Sequence, residues 1–584
     1  MPMERRRFLQ SATALGLLGA APPSLATTRS GDALDAVLAE IARAPQRLRS
    51  SSLLFRETDA ALPDLSFEAS RQAADEARAQ IARLTPLRST DLDGDRRDTL
   101  EAVIWDLEGG VESQRYYWLD SPLSADGSAL SIATGRLAAA PLRTAAARDN
   151  YLSMLEGFPT YVAQILEKVR GQQSRNIIAH RETVTAVLLQ MDTLLASPTA
   201  TFIPAPARLA HLPEPEAARF TAQAGRLLAD GIMPPLRRLG AYLRDDYLPA
   251  AGDTVGLWRQ PDGEEFYRFL IRFNVTLDID PEDAHRRALD TVAEAERDMA
   301  VLRRRIGFNG SAEAFHHTLE TDARWKSATT QAVAARFEAG LAGFDPHFSR
   351  FFETPPTTPY SAAPQPPEYN DIMVNGRYQW PTDEDPQGTY LFNGGNLETT
   401  TWFWSTPLIH HELVPGHHLQ FDRVHASRTL PPFRKSLVMS GHTEGWAEYG
   451  RSLVVEAGVY DEDPMARYAD RLMDRRMAMM TVADTGMHAR RWSLDEAVSY
   501  FSTNAITIPS LQRRAMLGIA TEYPGFLLCY WAGATEFARL RRETAARAGP
   551  GFDLRRFHEV ILSGGVLSFP VLEARLDRHF PGVA

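Results

Sequence analysis

Long stretches of helical periodicity constrain the fold of this chain more than any other feature of its sequence. Apolar residues recur at spacings of three and four among Ala, Arg, Glu and Leu, which is typical of helices that bury one face. No alternating strand series and no repeat of fixed period interrupts this pattern. The sequence therefore predicts a mainly α fold. The clearest helical stretches are Ser70 to Leu84, Asp95 to Leu107, Arg148 to Arg170 and Pro281 to Ile306.

A proline-rich segment from Glu353 to Pro367 is the clearest internal boundary in the chain. At 584 residues the chain exceeds the size at which a single hydrophobic core usually stops growing, so packed subdomains are expected. We therefore divide the mature chain into a helical N-terminal lobe, residues 27–350, and a C-terminal region, residues 351–584.

Two short strands are expected after the proline-rich segment, at Asp371 to Val374 and at Gly388 to Asn393. They would add a small sheet to the helices. The second strand is either part of an ordinary hairpin or an edge strand that binds substrate. In the second case Tyr390 and Asn393 are the candidate substrate contacts.

Residues 1–26 have the three parts of an export signal in the right order. Arg5-Arg6-Arg7 is followed by Phe-Leu, then by an apolar run from about Ala12 to Ala21 and by small residues at Ser24-Leu25-Ala26. Paired arginines one residue before Phe-Leu favour a twin-arginine signal over an ordinary secretory one. We expect an exported protein, periplasmic or extracellular, without a permanent membrane anchor, since no later segment offers about 18 uninterrupted apolar residues.

Charge and cysteine content exclude several classes of function. Lys and Arg number 63 against 74 for Asp and Glu, a net charge of -11, which disfavours nucleic acid as a partner. The chain has one cysteine, Cys529, so an intrachain disulfide and a cysteine-rich zinc site are both excluded. Any metal must therefore be bound by histidine and carboxylate ligands. No feature of the sequence indicates an oligomeric state.

The stretch from His410 to Gln420 carries the clearest chemical signal. Zinc hydrolases commonly use H-E-x-x-H, but this chain has the longer H-E-x-x-P-G-H. On an undisturbed helix His411 and His417 would differ by about 600° and roughly 9 Å of rise, too far to share one ion. Pro415 cannot continue the helix, and Gly416 readily adopts the dihedrals of a bulge. The Pro-Gly pair is therefore expected to bring the two histidines together.

The extent of this distortion decides which histidine is the second ligand. A turn widened by two residues places His417 beside His411, whereas a turn widened by three selects His418. We predict His411 and His417 as ligands, with Glu412 as the catalytic base. His418 and His410 are kept as groups that orient a ligand or replace one.

A third ligand is expected from a carboxylate on a neighbouring helix. Glu444 and Glu448 lie one helical turn apart on one face of the segment after the histidine motif. Trp446 and Tyr449 beside them argue against a fully solvated acidic face. We predict Glu444 as the third ligand and Glu448 as a group that orients a histidine.

At these residues the chain resembles a bacterial family known as domain of unknown function 885. The family signatures are H-E-x-x-P-G-H-H-L-Q and E-G-W-A, which stand here as His411 to Gln420 and Glu444 to Ala447. Weaker matches, such as Pro524-Gly525 and Phe557-His558, extend the resemblance over nearly all of the mature chain.

The family is similar to helical zinc peptidases of the thimet oligopeptidase and angiotensin-converting-enzyme kind. That resemblance implies a mostly α fold in two lobes around a deep channel, in which residues 351–584 complete one peptidase-like unit. It implies the ligands His411, His417 and Glu444, and Tyr530 as a donor to the oxyanion.

Together these features predict an exported zinc-dependent hydrolase with one zinc ion per chain. Zinc lowers the pKa of water toward about 7, and Glu412 would accept its proton. The expected substrate is a short peptide. Two alternatives stay open: a zinc hydrolase of a non-peptide amide or ester, and a non-catalytic protein that binds metal or peptide.

Overall fold

The computed structural model describes residues 25–43, 62–125, 127–367, 370, 376–381, 386–503 and 509–582. The prediction of a mainly α fold with a small sheet is confirmed. Residues 1–24 of the predicted export signal lie outside the described residues, and so does the predicted strand Asp371 to Val374.

The helices before the predicted boundary cover most of the N-terminal lobe. They are α1 (Leu25–Arg43), α2 (Phe67–Leu84), α3 (Gly94–Arg115), α4 (Ala129–Ala139), α5 (Ala145–Gln173), α6 (Arg181–Ala196), α7 (Pro198–Phe202), α8 (Pro206–Leu209), α9 (Glu214–Arg226), α10 (Met233–Tyr242), α11 (Gly263–Val275), α12 (Pro281–Arg305), α13 (Ala312–Thr321), α14 (Thr330–Ala342) and α15 (Phe348–Phe351).

The C-terminal region begins with the sheet and then returns to helices. Its elements are β1 (Tyr360–Pro364), β2 (Arg377–Gln379), β3 (Gly388–Phe392), α16 (Ser405–Glu412), α17 (His417–Ala426), α18 (Pro432–Lys435), α19 (Ser440–Glu456), α20 (Pro464–His488), α21 (Leu494–Ser502), α22 (Pro509–Thr521), α23 (Leu528–Ala548), α24 (Leu554–Ser563) and α25 (Phe569–His579).

The four helices predicted most clearly from the sequence are present as α2, α3, α5 and α12. Local signals explain their ends. The side chain of Asp280, for example, accepts hydrogen bonds from the backbone N–H groups of Glu282 and Asp283 at 3.0 and 3.1 Å, at the start of α12. A proline at the first helical position completes this start signal.

The hydrophobic core crosses the predicted boundary at residue 350. One cluster joins Leu100 of α3 to Trp446 and Leu453 of α19 and to Leu572 of α25. The most extensive helix packing is between α12 and α20 and between α19 and α23. A second cluster stays within the N-terminal lobe, and its buried residues run from Leu123 to Ala251. The helices that surround the histidine motif are thus fixed by packing from both sides of the boundary.

Within the described residues, no single helix is long and apolar enough to cross a membrane. The segments Arg181–Ala196 and Pro198–Leu209 pass that test only when they are joined, and they meet at 89°.

The sheet is small, and its strand order is β1-β3-β2. β3 pairs with β1 in parallel and with β2 in antiparallel register, so that Tyr390 lies between Ala362 and Tyr378. The predicted strand at Gly388 to Asn393 is therefore present as β3, but it is the central strand. The edge-strand interpretation is wrong, because both sides of β3 are already paired.

Both candidate substrate contacts of that strand, Tyr390 and Asn393, have partners within the chain. Tyr390 is 1% exposed, and its ring packs edge-on against Phe337 at 5.2 Å. Asn393 donates to the backbone oxygen of Asn370 at 2.7 Å and accepts from the N–H of Gly395 at 2.8 Å, which ties down the loop after β3.

Candidate metal centre

The Pro-Gly pair divides the histidine motif between two helices. α16 ends at Glu412, and α17 begins at His417. The backbone folds back so sharply that a Cβ atom on Gly416 would lie 1.9 Å from the carbonyl oxygen of His411. Only glycine fits there. We expected the helix to be interrupted, and it is, but by a junction between two helices rather than by a wider turn of one.

Helix α19 contacts this junction through residues of its E-G-W-A segment and the turn that follows. The indole Nε1 of Trp446 donates to the carbonyl oxygen of Pro415 at 3.1 Å. A Cβ atom on Gly450 would lie 3.0 Å from the same oxygen, so a side chain there would crowd the junction. The E-G-W-A segment therefore sets the position of Glu444 relative to the histidines.

Three side chains converge at the junction: His411 at the end of α16, His417 at the start of α17, and Glu444 in the second turn of α19. Glu444 Oε2 lies 3.6 Å from His411 Nε2 and 3.4 Å from His417 Nε2. One ligand atom from each residue lies within 4.8 Å of the other two. Zinc bonds of about 2.0–2.1 Å at tetrahedral angles separate ligand atoms by roughly 3.4 Å. The donor set and its spacing therefore fit a zinc ion.

The electrostatics of this cluster favour positive charge at the point of convergence. Burial opposes a charge on His411, but contacts with Glu444 and Glu448 raise its pKa to about 10. Burial likewise works against ionisation of Glu444, but the two histidines lower its pKa to about 2. A divalent cation bound among these atoms would take the place of the extra protons.

Glu448 lies beside the second nitrogen atom of the His411 ring. Its Oε1 atom lies 2.9 Å from His411 Nδ1. Its Oε2 atom accepts from Arg451 Nη2 at 2.7 Å and Nε at 3.1 Å. Arg451 also donates to Asp470 and Asp474 of α20. Although burial opposes ionisation, Arg451 and His411 lower the pKa of Glu448 to about 2, so it remains a carboxylate that orients the histidine.

A close crossing of α19 and α23 brings Tyr530 to the site. A Cβ atom on Gly533 would lie 2.2 Å from the carbonyl oxygen of Gly441, and one on Gly445 would lie 2.5 Å from the Cα of Gly533. Gly445 and Gly533 therefore permit the two backbones to touch. Tyr530 precedes Gly533 by about one helical turn, and its ring lies against His411.

Tyr530 and Glu412 lie beside the predicted ligands. The Tyr530 ring stacks against His411 at 6.0 Å and 23°. Burial raises the pKa of Tyr530 well above its ordinary value, and Glu444 adds to the effect, so the hydroxyl keeps its proton. Burial also raises the pKa of Glu412, while His411 and His417 oppose the rise. The site thus offers one proton donor and one carboxylate next to the ligands.

The structure places His418 and His410 outside the ligand cluster. The Nδ1 atom of His418 lies 3.0 Å from the hydroxyl of Tyr378, and its Nε2 lies 3.2 Å from the carbonyl oxygen of Thr358. The Nδ1 atom of His410 lies 2.8 Å from the carbonyl oxygen of Val414, within the junction itself. The geometry therefore favours His417 over His418 as the second ligand.

Sequence reasoning missed Tyr378 and Arg451. Tyr378 of β2 stacks on His417 at 6.2 Å and 26°, and its hydroxyl contacts His418. No local pattern connects this strand to the histidine motif, so no signal in the sequence could have identified Tyr378. Arg451 follows Glu448 by three residues in α19, and that helical spacing could have suggested the ion pair.

Comparisons with known proteins agree with the fold. The family model described as "Bacterial protein of unknown function (DUF885)" matches residues 48–576. A crystal structure described as "the putative lipoprotein from Colwellia psychrerythraea" superposes with a TM-score of 0.82 at 20% identity, over 94% of this chain and 97% of that one. A "putative lipoprotein of unknown function from Shewanella oneidensis" gives 0.67 at 16% identity, over 94% and 99%. No curated protein matches the chain.

Proposed function

We propose that this chain, which belongs to the bacterial protein family of unknown function DUF885, is an exported zinc-dependent hydrolase that cleaves short peptides. The observation that carries the proposal is the convergence of His411, His417 and Glu444 with a carboxylate, Glu412, directly beside the first ligand. Pure metal storage would need the three ligands and would have no use for Glu412.

The proposed chemistry assigns one task to each group around the ligands. When bound, zinc polarises the scissile carbonyl and lowers the pKa of water toward about 7. Glu412 accepts the proton of the attacking water and passes it to the leaving amine. The protonated hydroxyl of Tyr530 stabilises the developing oxyanion. Glu448, held by Arg451, keeps the His411 ring oriented toward the ion.

Export is part of the same proposal. Its support is the order of basic, apolar and small residues in 1–26 and the arginine pair before Phe-Leu. The naming of two proteins of the same fold as lipoproteins is consistent with a place in the cell envelope.

Metal content tests the ligand assignment. Purified mature protein is measured beside His417→Ala and the matched variant His418→Ala. We expect one zinc per chain in the wild type and in His418→Ala, and none in His417→Ala. The absence of metal from the wild type after zinc is supplied, or its loss from His418→Ala alone, would overturn the ligand set.

Turnover by Glu412→Gln tests the catalytic part. The variant is expected to retain its zinc and to lose about 10²- to 10⁴-fold in turnover, since the amide cannot accept a proton. Wild type and variant are compared on a peptide library and on a panel of small amides and esters. Undiminished turnover in the variant would remove Glu412 from the mechanism, and cleavage confined to the small amides or esters would replace peptides as the substrate class.

A further inference from the structure

Helix α20 carries four arginines between its first turn and its middle, and one of them lacks an ion-pair partner among the described residues. Three of the four pair with carboxylates, so their charges are neutralised. These pairs are Arg467 with Asp470, Arg471 with Asp474, and Arg475 with Glu296. Arg476 has no carboxylate within salt-bridge distance among the residues that the structure describes.

The direction of Arg476 follows from its place on the helix. Arg475 points to α12, where it meets Glu296. The next residue of an α-helix is rotated by about 100°, so Arg476 points to a different neighbour. Its guanidinium lies over the ring of Phe501 at 5.2 Å. Phe501 belongs to the hydrophobic cluster against which Tyr530 packs.

Arg476 also lies within electrostatic range of Tyr530. Burial lowers the pKa of the guanidinium, and Tyr530 is the ionisable group that opposes this shift. Tyr530 in turn stacks on His411 and is affected by the charges of Glu444 and Glu412. Since Arg476 lies over Phe501, and Phe501 and Tyr530 pack in one hydrophobic cluster, the guanidinium and the phenol beside His411 belong to the same region of the fold.

A half-buried guanidinium without an anion is unfavourable, because burial removes its hydration and nothing of opposite charge replaces it. The contact with Phe501 compensates in part. A carboxylate is the group that arginine binds best, through two parallel N–H···O bonds in one plane. A carboxylate beside Arg476 would therefore supply the opposite charge that the described residues do not.

We propose that Arg476 binds a carboxylate of the substrate beside Tyr530 and so selects anionic peptides. This inference rests on the proposed peptidase function and adds the substrate class to it. The carboxylate has two sources in a peptide, the chain terminus and an aspartate or glutamate side chain. Both present the same planar group to the guanidinium.

The test measures hydrolysis and binding with four forms of one pentapeptide library. The forms are a free-acid and a C-terminally amidated library with neutral side chains, and two amidated libraries that differ by glutamate or glutamine at one position. The proteins are the zinc-loaded wild type, Arg476→Met and Arg476→Lys. Arg237→Met, which removes an exposed arginine from α10, is the matched control.

We expect one carboxylate-bearing library to have a kcat/KM about 10- to 100-fold above its neutral partner in the wild type, the usual effect of a charge-assisted hydrogen bond. Arg476→Met should abolish this preference, mainly through KM, with zinc content and turnover of the neutral library unchanged. Arg476→Lys should retain part of it, and Arg237→Met all of it. Preference for the free acid identifies the chain terminus, and preference for the glutamate library identifies a side chain.

Binding separates failure of the inference from failure of the proposed function. The same libraries are titrated into the zinc-loaded Glu412→Gln protein with and without Arg476→Met. Carboxylate-dependent binding that is lost in Arg476→Met, with no cleavage by wild type, would sustain the Arg476 site and reject the hydrolase. Cleavage or binding that ignores both the carboxylate and Arg476, or no binding of any library, would overturn the inference.

Discussion

At the scale of single residues, the His411 ring has a carboxylate beside each of its nitrogen atoms. Glu444 lies 3.6 Å from Nε2, and Glu448 lies 2.9 Å from Nδ1. Glu448 cannot turn away, because Arg451 holds its other oxygen and is itself held by Asp470. A carboxylate behind a metal-binding histidine fixes the ring and raises its basicity. Zinc affinity at the proposed site is therefore expected to depend also on Glu448 and Arg451, which would not touch the ion.

Glu448→Gln is expected to weaken zinc binding by about 10- to 100-fold without abolishing it, because the amide keeps its size but loses its charge. Zinc affinity is measured by competition with a chelator. Glu456→Gln, at the exposed end of the same helix, provides the control and should bind zinc as the wild type does. An unchanged affinity in Glu448→Gln would show that the contact with His411 has no energetic role.

Tyr530→Phe should lower kcat by about 10²-fold or more, with little change in KM or zinc content, if its hydroxyl stabilises the oxyanion. The ring that stacks on His411 is retained, so the effect isolates the hydroxyl. Steady-state kinetics on a cleaved library peptide are the measurement. A kcat within about twofold of the wild type would mean that Tyr530 is only a packing residue.

At the scale of elements, the site is the meeting point of α16, α17, α19 and α23, and glycine makes each approach close. Gly416 permits the junction of α16 with α17, where a Cβ atom would meet the His411 carbonyl. Gly445 and Gly533 permit the crossing of α19 and α23. These glycines have ordinary negative φ angles, so close approach and not backbone conformation requires them.

Gly533→Ala is expected to lower the free energy of unfolding by roughly 1–3 kcal/mol, because the new methyl group would overlap the backbone of α19. It should also reduce zinc occupancy, since Glu444 lies on that helix. Gly157→Ala in α5 is the matched control: nothing lies within 4 Å of its Cβ position, and alanine there should stabilise by about 0.5–1 kcal/mol. Unfolding and metal content are measured for both. Equal effects would refute the packing argument.

At the scale of the whole molecule, buried histidines tie distant segments together. His558 of α24 contacts the carbonyl oxygen of Phe351 at 2.9 Å and the hydroxyl of Tyr449 at 2.9 Å. Burial lowers its pKa from 6.5 to about 4, so the folded state needs the neutral ring. The unfolded chain accepts a proton near pH 6.5, whereas the folded chain resists it until about pH 4. The stabilisation is therefore complete above pH 6.5 and is lost as the pH falls toward 4.

His558→Gln should show this dependence by comparison with the wild type. The difference in free energy of unfolding between the two proteins is expected to shrink by about 2–3 kcal/mol from pH 7 to pH 4.5, since only the wild type has the histidine to protonate. Urea unfolding at both pH values gives the difference, in which other titrating groups cancel. A difference that stays constant or widens at low pH would contradict the account.

Local sequence determined the features that depend on neighbouring residues alone. Helical periodicity predicted α2, α3, α5 and α12, because amphipathic spacing acts within one or two turns. The interruption of the histidine helix followed from the backbone chemistry of Pro415 and Gly416. The choice of Glu444 followed from its spacing and from the aromatic residues beside it.

Tertiary structure decided whatever depends on residues far apart in the chain. The fold-back at the junction favoured His417, while Tyr378 and Thr358 engage His418. Strand pairing made β3 central, a relation that no pattern within β3 itself encodes. The position of Arg476 near Tyr530 likewise arises from the packing of α20 against α23. The local periodicity of apolar residues determines which helices form, but long-range packing determines which side chains meet.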